Sequence, residues 1–179
     1  MPRATIAANP DRRTRVQVVG REATPVIVID DFALDASIAA GHARSSASFA
    51  EEQTSAYPGI RAALTREHVI ATLDALYELL YRTYRIPARL RLRPQNAVYS
   101  LVSKPAADLT LSQSVPHFDS TRPHYIAVTH FLNDGAFGGT GLFRHRPTGF
   151  EKILADRLDE YVRSGEAFVR ANGAPPPGY

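Results

Sequence analysis

Residues 115–120 read Val-Pro-His-Phe-Asp-Ser, and the fold of the whole second half of the chain turns on how this stretch is read. In extended backbone successive side chains alternate between faces, so His117 and Asp119 point together while Phe118 points the other way. An imidazole nitrogen and a carboxylate oxygen on one face are two of the three protein ligands of a facial Fe(II) site, which leaves positions open for a bidentate cosubstrate and O₂. Mn(II) and Zn(II) accept the same donors. The tripeptide alone is a weak signal, because His and Asp also cap turns at strand ends, so its surroundings must carry the rest.

Those surroundings have the texture of strands. RLRLRP (89–94), NAVYSLVS (96–103), LTLSQSVPHFDS (109–120), HYIAVTHFLND (124–134) and GLFRHR (141–146) alternate or run apolar, separated by short polar or glycine-rich turns. Gly138-Gly139 permits a tight turn or bulge. Earlier, VQVV and PVIVID flank Gly20–Thr24 as the arms of a hairpin. Asp35 opens a short helix, ASIAAGHARSS. Thr65 caps a longer one, whose apolar stripe is Val69, Ile70, Leu73, Leu76, Tyr77, Leu80 and Tyr84, with Pro87 ending it. A last helical pattern runs from Ile153 to Val169, where Gly165 is a candidate break. The segment around Tyr57-Pro58-Gly59 reads as a loop.

The expected class is therefore α+β: a double-stranded β-helix (jelly-roll) core over about 89–146, with helices packed on one side. Such a core usually has about eight strands, and roughly six or seven can be drawn here, so the sheet reads as incomplete. An uncovered sheet edge would invite pairing, which makes a homo-oligomer the expectation.

A chain of 179 residues suffices for one domain with a sizeable core, and 44% hydrophobic with 22% charged residues excludes wholesale disorder. The division expected is a flexible basic arm at 1–15 and a single domain at 16–179. A net charge of +3, with arginines spread along the chain instead of forming a dense stripe, argues against nucleic-acid binding. Without cysteine there is no disulfide frame, thiolate nucleophile or zinc-thiolate site. The N-terminal stretch has no apolar h-region, and VIVI at 26–29 is far too short to cross a bilayer. A cytoplasmic protein with no membrane partner is expected.

PHFDS, FLND and FGGTGLFRH, in that order and spacing, resemble the prolyl-4-hydroxylase-like branch of the 2-oxoglutarate/Fe(II) dioxygenases. AVYSLVS, PHFDST, GGTGLFRHRPTGFE and PPPGY are similar, more closely, to an uncharacterised bacterial family of that superfamily, from about residue 16 onward. The resemblance implies an oxygenase using Fe(II) and 2-oxoglutarate, with His117 and Asp119 as catalytic metal ligands and a small molecule or peptide as substrate. It also implies that Tyr99, on the preceding strand, contacts the cosubstrate.

In that family a second histidine and a basic residue follow on a later strand, beyond a segment like PPPGY. Three readings stay open here: the chain is part of a longer protein, His145 completes the metal set, or the site is degenerate. A non-catalytic jelly-roll binding module and a cupin-like metal enzyme that does not use 2-oxoglutarate are the competing functions. His124 and His130 are weaker candidates, while His42 and His68 fall on helices and read as non-catalytic.

Overall fold

The computed structural model describes residues 6–52, 56–133, 135, 137–174 and 176. Asp134, Ala136 and the PPPGY end apart from Pro176, all used above, lie outside the described residues. The first strands, β1 (Arg13–Val19) and β2 (Thr24–Asp30), form an antiparallel hairpin in register Val16↔Ile27. Helix α1 (Ala36–Ser45) follows, with the Asp35 carboxylate accepting the Ser37 N–H at 2.8 Å. Strands β3 (Ala50–Glu51) and β4 (Gly59–Ala63) precede helix α2 (Arg66–Tyr84), which begins where Thr65 Oγ1 accepts the His68 N–H at 3.2 Å. Strand β5 (Val98–Val102), the short helix α3 (Leu111–Ser114) and helix α4 (Leu158–Asn172) complete the order. The chain is thus a mixed α+β protein with two small antiparallel sheets, β1-β2 and β3-β4-β5.

Sequence explains most of these elements locally. Thr and Asp are good N-caps because their side-chain oxygens satisfy a free N–H of the first turn. Arg85 closes α2 in the left-handed conformation, and Pro87 follows, so the helix cannot continue. The sequence around Tyr57-Pro58-Gly59 reads as a loop, yet Gly59–Ala63 forms strand β4. It is a strand because it pairs with β5 from Gly59↔Val102 to Ala63↔Val98. A Cβ at position 59 would sit 2.0 Å from the Leu101 carbonyl oxygen, so the glycine is what lets the two backbones approach.

The main core lies where α2 packs on β2. Leu76, Leu80 and Ile86 are buried together, and Ile27, Ile29, Phe32, Tyr84, Leu92 and Ile126 pack around them. Residues 6–12, expected within a loose arm, are instead tied down. Ile6 is 2% exposed, and Asn9 N–H donates to the Phe32 carbonyl while Leu34 N–H donates to that of Ala7. A single apolar side chain at the head of a polar stretch gave that segment its anchor.

The hairpin turn also clamps a distant segment. Glu151 accepts the N–H groups of Glu22 at 2.8 Å and Arg21 at 3.0 Å, and the Arg144 guanidinium at 2.7 Å. Glu22 in turn accepts from Arg157 at 2.6 Å. Gly20 has φ +72°, and a Cβ there would overlap the Glu151 carboxylate. The Glu22 and Arg21 amides, with Arg144, hold the Glu151 carboxyl down at about 2 against an ordinary 4.5. A depressed carboxyl stabilises the fold above its unfolded pKa, and that contribution drains away as pH falls from about 4.5 towards 2. Thermal midpoints measured across this range should fall more steeply for the native protein than for Glu151→Gln, which starts lower at neutral pH and converges with it in acid.

The expected strands of the second half differ from what is observed. Among the described residues, 103–151 carry no strand, and residues 89–94 are irregular and mostly exposed. LTLSQS is in part helix α3, because Thr110-x-x-Gln113 is a capping pair: the Gln113 side chain accepts the Thr110 N–H at 3.0 Å. Residues 126–131 are irregular, without a hydrogen-bonded ladder, and line one pocket together with residues of β2 and α2. Alternating hydrophobicity requires only one buried face, and a strand requires a partner as well. Among the described residues, no helix is long and apolar enough to cross a membrane.

Candidate metal centre

His117 and Asp119 lie on an irregular segment after α3, and their side chains do come together. His117 Nε2 stands 3.6 Å from Asp119 Oδ1. That is longer than a hydrogen bond and leaves both atoms available to a third party. Phe118 turns instead to Tyr161 of α4, ring centroids 5.4 Å apart and nearly perpendicular. The pair thus comes together on an irregular segment that bends at Asp119, not on a strand. The two side chains do not face an enclosed cavity: they are 77% and 51% exposed. No second layer covers them among the described residues, so the pair sits at the surface.

Two donors at about 2.1 Å from one ion, at right angles, lie about 3 Å apart. The 3.6 Å pair therefore fits adjacent positions on a divalent cation after a small side-chain rotation. A third protein donor is not beside it, for no group of three metal-ligating side chains occurs among the described residues.

His145 is placed elsewhere. Its ring lies 4.4 Å from that of Tyr161, its Nδ1 is 2.8 Å from Thr148 Oγ1, and burial holds its imidazole below the ordinary pKa. The tight turn 145–150 fixes it, with Gly149 N–H donating to the His145 carbonyl and His145 N–H to that of Phe150. Its other nitrogen faces α4 at Gly165. Tyr161 thus joins the two motifs, touching Phe118 on one side and His145 on the other. In the sequence Tyr161 looks like one more apolar position of the helix.

Gly165 does not break α4, which is continuous from Leu158 to Asn172. A Cβ there would meet His145 Nε2 at 3.5 Å, an ordinary contact. Gly165→Ala should accordingly stabilise the protein by about 0.5–1 kcal/mol through helix propensity, read as a rise in the denaturation midpoint.

Tyr99 is buried on β5 in a different neighbourhood. Its hydroxyl is 3.4 Å from His42 Nδ1, its ring contacts His42, Phe49 and His68, and burial raises its phenol pKa. His68 is 5% exposed and is pushed towards the neutral form by burial and by the neighbouring His130 and His42. The helix histidines that read as incidental are therefore wall and neighbour to the one tyrosine singled out. His130 packs edge-on against Phe32 at 5.5 Å.

Strands, caps and an exposed His-x-Asp pair define an α+β protein with a two-donor candidate metal centre. Over residues 10–179 the chain matches the family described as a family of unknown function (DUF6445), and it belongs to that family. Neither a curated protein nor a solved structure matches it.

Proposed function

We propose that the protein is an Fe(II)- and 2-oxoglutarate-dependent oxygenase on a jelly-roll-type core, acting on a small molecule or peptide, with His117 and Asp119 as two of its metal ligands. The observation that supports this reading is the pairing of His117 Nε2 with Asp119 Oδ1 at 3.6 Å while Phe118 is anchored on Tyr161. When bound, Fe(II) with 2-oxoglutarate supplies the O₂-dependent oxidation of a substrate C–H bond. The chain's own part is to hold the ion and fix its surroundings. His117 gives a neutral nitrogen, Asp119 a carboxylate charge, and the Phe118–Tyr161 contact restrains the backbone between them. His145 would reach the ion only by giving up Thr148 and Tyr161, and Tyr99 would meet a cosubstrate only by leaving His42.

A second reading, a binding module without turnover, is favoured by the exposure of the pair and by the lack, among the described residues, of a third donor beside it. Succinate release from 2-oxoglutarate under air separates the two. The oxygenase predicts Fe(II)-dependent succinate formation that His117→Ala and Asp119→Ala each reduce by more than the roughly 100-fold typical of losing an outer-shell partner. Metal binding with no succinate formation favours the module or a metal enzyme of another kind.

A further inference from the structure

A pocket of about 510 Å³ lies between β2, α2 and the segment 126–131, with none of His117, Asp119 or His145 on its wall. Its walls are apolar, formed by Ile27, Ile29, Leu76, Leu80, Tyr84 and Ile126. Thr72, Thr129 and His130 are the uncharged polar residues among the lining, and both Thr72 Oγ1 and His130 Nδ1 are buried without a hydrogen-bond partner. His68, one turn before Thr72 on the same face of α2, is almost wholly buried and its Nδ1 is likewise unpartnered. Buried polar atoms are nearly always satisfied, because each one left alone costs its full desolvation penalty. Two such atoms on residues of one pocket wall, with the third a helical turn behind Thr72, point to a ligand group that completes the wall pair.

The charge of the wall sets the chemistry of that ligand. Among the described residues no lysine or arginine lines the pocket, and the only charged ones, Asp30 and Asp31, are engaged by Arg15 and Arg13 of β1. Burial holds His130 below the ordinary imidazole pKa, so it offers a neutral ring. An anion would find no counter-charge and two carboxylates nearby; a cation would find those carboxylates already paired. We propose that this pocket is a binding site for a neutral, mostly apolar molecule bearing a hydroxyl or carbonyl group, whose oxygen is held at Thr72 and His130 once these side chains turn towards it.

Calorimetric titration of the full chain, with chelator present so that metal plays no part, tests this with octanol, octanoate and octylammonium. Octanol should bind saturably at one site, and both charged analogues at least about 10-fold more weakly. Thr72→Val, which keeps the side-chain volume, and His130→Phe should each weaken octanol by roughly 5- to 20-fold. Unchanged or raised thermal midpoints show that the variants are folded, since Thr72→Val removes an unsatisfied hydroxyl. The proposal is overturned by the lack of saturable octanol binding, by charged analogues binding equally well, or by both folded variants binding octanol as the native chain does. Because chelator is present throughout, its failure leaves the oxygenase reading untouched, and the converse holds for the succinate test.

Discussion

Leu80→Ala lowers the free energy of unfolding by about 2–3 kcal/mol, whereas Ile70→Ala on the same helix changes it by less than about 0.5 kcal/mol. Both are branched aliphatic residues of α2, and both belong to the apolar stripe that the sequence suggests. Leu80 is 5% exposed and packs with Leu76 and Ile86 against β2, while Ile70 is 45% exposed. The cost at Leu80 belongs near the lower end of the Leu-to-Ala range, because the adjoining pocket already leaves part of its surface without packed neighbours. Urea denaturation of the two variants, compared at equal m-value, checks the pair. Equal losses would mean that α2 presents a different face to the sheet.

That contrast shows what was legible. The residues facing inward are His68, Thr72, Leu76 and Leu80, four apart along α2, and two of them are polar. A hydropathy stripe cannot find a buried face that starts with histidine and threonine, so the sequence reading rotated the helix towards Ile70 and Tyr77. Caps were legible at Asp35 and Thr65, because a capping oxygen acts within three residues of itself. The β1–β2 hairpin was legible for the same local reason. Strand β4 was not, since its existence depends on β5, some 40 residues away in sequence by rough count. Around the candidate centre, the His-x-Asp pair was legible as a motif, while the strand expected to carry it is not observed. The exposure of the pair, the capture of His145 by Thr148 and Tyr161, and the burial of Tyr99 among histidines all depend on α4, α1 and α2, which no spacing rule reaches.

His117→Ala and Asp119→Ala should each abolish saturable binding of a divalent transition metal, the second large effect expected. A cation at this exposed position has two donors among the described residues, and loss of either leaves one, too few to compete with water and buffer. Leaving a carboxylate alone removes the imidazole that favours Fe(II) over Mg(II), and leaving the imidazole alone removes the charge. His145→Ala separates the pair from the third candidate: with His145 on Thr148 and Tyr161, its removal should change metal affinity less than about 2-fold. Stability is a necessary control, because Phe118 between the ligands is packed on Tyr161.

The most direct measurement is anaerobic Fe(II) titration by calorimetry on the native protein, His117→Ala and Asp119→Ala, each checked for native thermal midpoint. One ion per chain bound by the native protein, and none by either folded variant, is the predicted result. A native protein that binds no Fe(II), or a folded variant that binds it as tightly as the native chain, would contradict the account.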